Sequence, residues 1–242
     1  MRSIVIIPTY NEAENIPLLL DQLRRLPVDA LFIDDHSTDG TAEILKQTAL
    51  EQEGRFFLIE RPRKMGLGTA YIAGFKWAIE HCYERVLEMD ADFSHNPEDI
   101  PRLISATEEY DLAIGSRYVG GIRVNDWSLG RLLLSLSAVK YVRALTGLPL
   151  SDPTGGFKCF RIEALQALDL DRIYSRGFSF QIEINYRIWR MGFLIGEVPV
   201  IFNERARGLS KMSPGIVLEA LWVVCRLALQ NGLSRTTKTQ RL

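Results

Sequence analysis

Cysteine is too scarce and too scattered to organise this chain: Cys82, Cys159 and Cys225 share no CxxC spacing. That excludes a disulfide framework and a zinc ribbon, and it suits a reducing compartment. Net charge is nearly absent as well. With 29 basic and 30 acidic residues the formal charge is -1, so no global field gathers nucleic acid, and an anionic partner must be met by local cationic clusters. Long apolar runs are missing too. The longest charge-free stretch, Met65 to Phe75, contains glycine and falls short of the ~20 residues a membrane-spanning helix needs. Met1 to Pro8 is too short for a secretory leader and runs straight into a motif. Neither an internal repeat nor a low-complexity linker interrupts the sequence.

What is present reads as a folded α/β protein. Hydrophobic residues make up 47% and charged residues 24%, and 242 residues suit one large core. Short β-branched runs alternate with helical patterns through the first half, the signature of βαβ units and a mostly parallel sheet. Strands are expected at Ser3 to Pro8, Ala30 to Ile33, Phe56 to Glu60, Arg85 to Met89 and Asp111 to Gly115. Helical spacing runs from Ile16 to Leu26 and from Thr41 to Glu53. Asn96, followed by Pro97, Glu98 and Asp99, is a good helix start. After residue 116 the alternation fails. Arg131 to Thr146 and Ile216 to Leu229 then read as amphipathic helices, the second followed by a basic tail.

Three polar clusters fall at the carboxyl ends of expected parallel strands: Pro8 to Glu12, Asp34 to Gly40, and Asp90-Ala91-Asp92. Open α/β sheets bind ligands there, because the loops converge on one crevice. Asp90 and Asp92 are the sharpest signal, since alternate residues of an extended segment point the same way. Two carboxylates so placed suit a hard divalent ion, Mg2+ or Mn2+, that completes its shell with water and substrate phosphate. The glycine cluster Gly66-Leu67-Gly68 lacks the third glycine of a dinucleotide fingerprint, and no phosphate loop or nucleophile elbow is present. His36, His81 and His95 have no ligand-like pairing and read as turn, surface or packing residues.

Nearly the whole chain resembles the inverting GT-A type glycosyltransferases, and within them the dolichyl-phosphate or polyprenyl-phosphate mannosyltransferases. The resemblance rests on Pro8-Thr9-Tyr10-Asn11-Glu12, Ile33-Asp34-Asp35, Gly66 to Tyr71, Asp90 to His95, Gly115-Ser116-Arg117-Tyr118, Asp152 to Phe157, Gly177 to Glu183, and Glu204-Arg205 with Ser210-Lys211. It implies a GT-A fold, with a Rossmann-like sheet flanked by helices and a C-terminal amphipathic helix. It implies GDP-mannose as donor, dolichyl or another polyprenyl phosphate as acceptor, and Mg2+ or Mn2+ as cofactor. Pro8, Tyr10, Glu12, Ile33 and Asp35 would then hold the nucleoside, and Asp90, Ala91 and Asp92 the metal and pyrophosphate. Arg117, Arg131 and Ser135 would receive the acceptor phosphate, and Arg205 and Lys211 would close on the donor phosphates. Some relatives carry Gln where this chain has Ser94, which counts against Ser94 as a metal ligand.

The chemistry asks for this equipment in its own right. Negative charge developing on a diphosphate leaving group is stabilised by a divalent cation and by Arg or Lys. A phosphate monoester, with a second pKa of about 6, is already largely dianionic at neutral pH, so no general base is required. The domain expectation is a catalytic unit over residues 1–212, then an amphipathic membrane-proximal helix and basic tail over 213–242. Peripheral attachment to the cytoplasmic face of a membrane follows from a polyprenyl substrate, with a membrane-anchoring partner subunit as a further partner. Two other readings stand beside this one. One is a polyprenyl-phosphate glucose or N-acetylhexosamine synthase using a UDP-sugar; the other is a nucleotide-sugar-binding subunit without turnover.

Overall fold

A computed structural model describes residues 1–52, 54–175, 177–204 and 214–233 of the chain. Seven strands form one sheet: β1 (Ser3–Thr9), β2 (Asp29–Asp34), β3 (Phe56–Glu60), β4 (Arg85–Glu88), β5 (Leu112–Ser116), β6 (Lys158–Arg161) and β7 (Ile195–Pro199). Their order is β3-β2-β1-β4-β6-β5-β7. All neighbouring pairs are parallel except those of β6, which runs antiparallel to both β4 and β5. From β1 the chain winds outward through β2 to β3, then returns to lay β4 on the other side of β1. The strand order therefore reverses between β1 and β4, which is where a crevice opens beyond the carboxyl ends.

Eight α-helices cover the sheet among the described residues: α1 (Ile16–Arg24), α2 (Thr41–Glu51), α3 (Leu67–Glu80), α4 (Ile100–Ala106), α5 (Leu129–Thr146), α6 (Ile162–Gln166), α7 (Ser179–Arg190) and α8 (Pro214–Leu233). Burial on both faces explains the near-continuous apolar run of β1. Ile4 and Ile6 join Tyr71, Phe75, Phe160 and Phe180 in one core cluster. Val5 and Ile7 join Leu19, Leu23 and Phe157 in the other. α3 lies close against β1 because Gly74 has no side chain; a Cβ there would stand 2.6 Å from the Ile6 side chain. Gly68 has a similar reason, since a Cβ would stand 2.7 Å from the Ser175 carbonyl oxygen. The glycine cluster thus serves helix packing.

The five expected strands are all present within a residue or so of their bounds, and α2 stops at Glu51 instead of Glu53. β6 and β7 were not expected. Both are short and carry strand-breaking or charged residues, Lys158 and Arg161 in one and Gly196, Glu197 and Pro199 in the other. Only tertiary partners make them strands. Asn96 does cap, its side chain accepting from the Glu98 N–H at 3.1 Å, but it caps a single 3-10 turn that leads into α4.

α5 begins at Leu129 under a Ser128 cap and ends at the left-handed Gly147. On α8, Val223, Val224 and Leu227 enter the core cluster, while Leu218, Leu221, Trp222, Cys225 and Leu229 are exposed. Their spacing puts those five on one stripe of the helix. Leu129, Leu133 and Leu134 are likewise exposed on α5, and the Tyr141 hydroxyl donates to the Leu221 carbonyl at 3.2 Å to tie the two helices together. Among the described residues no helix is long and apolar enough to cross a membrane.

Candidate active site

The loops after β1 and β2 are sewn to one another. Asp34 is buried and accepts from Thr9 Oγ1 (2.9 Å), from the Ser37 N–H (2.8 Å) and from Ser37 Oγ (2.6 Å). Ser37 Oγ in turn accepts from the Asn11 N–H, and Asn11 Oδ1 accepts from the Thr38 N–H, each at 2.9 Å. Asn11 and His36 both sit at positive φ, +56° and +64°, a cost that non-glycine residues meet only where surroundings fix them. Tyr10 and Glu12 lie half-buried on this paired rim, and Pro8 lies just before it within β1, paired with Ile33. Lys64 lies over the Tyr10 ring at 4.0 Å, and Glu12 accepts from the Asn15 amide at 2.8 Å. Asp35 is committed to the next loop: it pairs with buried Arg61 and accepts from the Met65 N–H at 3.1 Å. Ile33 behaves differently from its proposed partners, because its side chain is wholly inside the core.

Asp90, Ala91 and Asp92 follow β4, which pairs directly with β1. Asp92 is buried, and its Oδ1 accepts from Ser94 Oγ at 2.6 Å and from the Ser94 N–H at 3.1 Å. Ser94 therefore orients Asp92. Asp90 is partly exposed and accepts from the Tyr71 hydroxyl at 3.3 Å. Burial first, then the Asp90, Glu88 and Asp92 charges, push the Tyr71 hydroxyl well above its ordinary range, so it remains a neutral donor aimed at carboxylates. Phe93, at φ +61°, makes this the third strand-end loop with a left-handed residue. Among the described residues no three carboxylate, imidazole or thiol groups gather as a protein-only metal cage. Two carboxylates fit Mg2+ or Mn2+, which take one or two protein carboxylates and keep water and phosphate as their other ligands by preference.

A third group of residues lies beyond β5. Arg117 is clamped by Asp152 through Nε (2.7 Å), Nη2 (2.6 Å) and its backbone N–H (3.0 Å), and Nη2 also reaches Thr154 Oγ1 at 2.6 Å. Burial works to raise the Asp152 carboxyl, but the Arg117 charge and hydrogen bonds outweigh it and hold it below the ordinary range. The same guanidinium lies over the rings of Tyr118, Phe202 and Trp127. Arg131 lies over the Trp127 ring at 4.2 Å and pairs with Glu204 at 2.9 Å. Ser135, one turn along α5, accepts from the Tyr118 hydroxyl at 2.6 Å. Arg117, Arg131 and Ser135 are thus gathered around Tyr118 and Trp127.

His95 joins the two sides. Its Nδ1 accepts from the Asp90 N–H at 3.1 Å, and its ring stacks on Phe157 and meets Phe202 edge-on. Burial lowers its pKa, with the Asp90 and Asp92 charges opposing and Arg117 assisting, so it stands neutral among all of them. Beneath the loop, buried Lys158 on β6 faces Glu88 on β4 at 3.9 Å and hydrogen-bonds Gln181. Burial raises Glu88 to about 7 against the Lys158 charge, and lowers Lys158 to about 8 against the Glu88 charge. Arg205 and Lys211 lie outside the described residues.

Sequence reading assigned no role to Asp152, Tyr71, Trp127 or Lys158. Asp152 and Tyr71 fall within motifs of the family resemblance. Trp127 stands just before the Ser128 cap of α5, outside the helix that carries Arg131. Lys158 left no signal, because nothing in the order of residues announces a pairing with Glu88.

An open α/β sheet with polar loops at a strand-order reversal, two carboxylates on one side and two arginines on the other defines a protein that handles a phosphorylated or nucleotide-linked substrate. Residues 4–169 match the model of glycosyl transferase family 2, and the chain belongs to that family. It is therefore a glycosyltransferase. The chain is 43% identical to the polyprenol monophosphomannose synthase of Mycolicibacterium smegmatis, over 97% of this chain and 89% of that protein. It is 46% identical to the undecaprenyl-phosphate mannosyltransferase of Micrococcus luteus, over 95% of both. Among solved structures, glucosyl-3-phosphoglycerate synthase from Mycobacterium tuberculosis with Mn2+ and UDP-Glc matches at a TM-score of 0.67 and 19% identity, covering 93% of this chain and 79% of that one. A mannosyltransferase from Pyrobaculum calidifontis with GDP-Man and Mn2+ matches at 0.56 and 19%, covering 98% and 76%. Both share the GT-A fold.

Proposed function

We propose that this chain transfers mannose from GDP-mannose to a dolichyl or other polyprenyl phosphate with inversion at the sugar, giving polyprenyl phosphate mannose and GDP. The observation that carries the reading is that His95, which accepts from the Asp90 N–H, meets edge-on the Phe202 ring that the Arg117 guanidinium also covers, so the Asp90 to Asp92 loop and the Arg117 group are brought to one place. The names of the Mycolicibacterium and Micrococcus relatives support the lipid phosphate and the mannose.

On this reading Pro8, Tyr10, Glu12, Asp35 and the main chain near Ile33 face the nucleoside. Asp90 and Asp92 would hold Mg2+ or Mn2+, which would supply positive charge near the departing diphosphate. Tyr71 and Ser94 orient those two carboxylates, and Ala91 spaces them. Arg117, Arg131 and Ser135 bring the acceptor phosphate up to the anomeric carbon, offsetting the repulsion between two anions. The phosphate oxygen attacks that carbon as the bond to GDP breaks. No base is needed, in keeping with a neutral His95 whose Nδ1 is already engaged. Arg205 and Lys211 add charge at the donor phosphates. The exposed leucines of α5 and the apolar stripe of α8 rest on the cytoplasmic face of the membrane, where a polyprenyl chain must remain.

The test is transfer of radiolabelled sugar into an organic-extractable lipid phosphate, run with GDP-mannose, UDP-glucose and UDP-N-acetylhexosamines as donors, with and without chelator. Mannose transfer from GDP-mannose that chelator abolishes is the expected outcome. Preference for a UDP-sugar overturns the donor, and binding without transfer overturns the enzyme reading.

A further inference from the structure

Two adjacent glycines lead into β6, and packing requires only the first. A Cβ on Gly155 would stand 3.1 Å from the Gly115 carbonyl oxygen and 3.2 Å from Ile114 Cγ2, in a place with little room to give. Gly156 is different. Its φ is not left-handed, and a Cβ there would meet Gln181 Nε2 and His95 Cε1 at 3.5 Å each and His95 Nε2 at 3.9 Å, all ordinary contact distances. A glycine that neither conformation nor packing requires marks a place where something else approaches the backbone. The register puts that place in the crevice. β6 is antiparallel, and Lys158 at its start pairs with Glu88 of β4 and Ile114 of β5. Two residues outward on each chain, Gly156 comes level with Asp90. Gly156 is part-exposed, whereas the His95 and Gln181 side chains that flank it are buried.

Both nitrogens beside this gap are donors. His95 Nδ1 accepts from the Asp90 N–H at 3.1 Å, so the ring carries its proton on Nε2. Gln181 Oε1 accepts from Lys158 Nζ, which fixes the amide and leaves Nε2 turned toward Gly156. Nε2 carries two N–H groups, and attraction to the Glu88 carboxylate engages at most one of them. The Lys158 charge on Oε1 also polarises the amide and strengthens the remaining donor. Among the described residues His95 Nε2 has no hydrogen-bond partner, and neither nitrogen is an atom sealed from solvent without one. What two such donors receive over a bare glycine is an oxygen atom. On the reading above, the donor phosphates lie with the carboxylates and the acceptor phosphate with the arginines, so the group between them is the transferred sugar.

We propose that His95, Gln181 and Gly156 form a subsite for one hydroxyl of the transferred hexose: the two side chains donate to that oxygen, and the glycine leaves room for it. The inference rests on the proposed function and gives the sugar contacts of its own. A hydroxyl held there fixes the ring, and with it the anomeric carbon, between the departing and attacking oxygens.

The experiment titrates the full chain by calorimetry, in Mn2+, with GDP, GDP-mannose and a panel of monodeoxy GDP-mannoses, for the wild type, Gly156→Ala and Gln181→Met. The alanine methyl meets its neighbours at contact distance, and the methionine leaves Lys158 with Glu88 and the main-chain carbonyl of residue 181, so circular dichroism should match the wild type. Gly156→Ala should weaken GDP-mannose about 10-fold, because it fills the gap and leaves both donors unmade. Gln181→Met should weaken it about 3- to 10-fold, as for one hydrogen bond between neutral groups. GDP lacks the sugar and should bind all three proteins alike. One monodeoxy donor should bind the wild type about 3- to 10-fold more weakly than GDP-mannose and lose nothing further in Gln181→Met, the signature of a shared contact. Wild-type affinity for GDP-mannose in Gly156→Ala overturns the subsite. So does GDP affinity falling in step with that for GDP-mannose, and so does a wild type indifferent to every deoxy donor. If Gln181→Met does not fold, Gly156→Ala and the deoxy panel decide. A wild type that prefers a UDP-sugar contradicts the proposed donor, while the same comparison made with UDP and that UDP-sugar still decides this inference.

Discussion

The two banks of the crevice are built by different means. On the bank formed by β1, β2 and β4, carboxylates and hydroxyls bind the backbone of neighbouring loops, and the partners are near in sequence: Asn11 and Ser37 are 26 positions apart, and Asp92 and Ser94 only two. On the bank formed by β5, α5 and the segment after β7, guanidinium groups are held by one clamp and several rings drawn from distant places, with 73 positions between Arg131 and Glu204. Hydrogen bonds to main chain fix a loop's shape and leave its carboxylates facing the crevice. Charge and ring contacts fix a cation's position while leaving part of its donor set for an incoming anion. The first arrangement suits a metal and diphosphate, and the second suits an acceptor that must be exchanged at each turnover.

The most damaging way to disturb the comparison is at the seam. Glu88 belongs to β4 and Lys158 to antiparallel β6, and both are fully buried. Lys158→Met should destabilise the fold by ~3–5 kcal/mol in urea denaturation, because it leaves Glu88 buried without a counter-charge. Adding Glu88→Gln should restore most of that loss. If the double variant is as unstable as the single one, the pair is not what joins the banks.

Next in size is the loss of the proposed metal carboxylate. Asp92→Asn keeps the side chain's volume and its bond to Ser94, so circular dichroism should match the wild type while transfer falls by ~100-fold or more. Near-normal turnover would remove the metal from the account.

Smallest is the release of Arg131 from Glu204. Both side chains are substantially exposed, at 38% and 50%, and such a pair is worth at most about 1 kcal/mol. Glu204→Gln should therefore lower KM for lipid phosphate about 2- to 3-fold by removing a competing anion, again within that range. A rise in KM would make Glu204 a support for the acceptor instead of a rival.

The same contrast decides how much could be read from the sequence. The parallel half was legible because each strand there is a continuous apolar run ending in a polar cluster, so strand, turn and function coincide in one stretch. Asp90 and Asp92 could be picked out for that reason. β6 and β7 were invisible, since Lys158 and Glu197 are tolerated in strands only because Glu88 and the N–H groups of Ser151 and Asp152 meet them. On the acceptor bank the arginines came from family resemblance, and nothing local said that Asp152 would clamp Arg117 or that one tryptophan would lie under both guanidinium groups. The placement of Ile33's side chain in the core was available from its apolar strand, and its proposed nucleoside contact came from resemblance alone.

The central claim is that the two banks bind two substrates independently, and Arg131→Ala tests it most directly because Arg131 is exposed enough to be removed without collapsing a buried pair. Calorimetry with GDP-mannose and Mn2+, beside transfer rates across a range of polyprenyl phosphate, should give unchanged donor affinity and a KM for the lipid phosphate raised about 10-fold, the worth of a charge-assisted hydrogen bond. Donor affinity falling in proportion to activity, or full activity at limiting lipid phosphate, would contradict the division of the crevice into a donor bank and an acceptor bank.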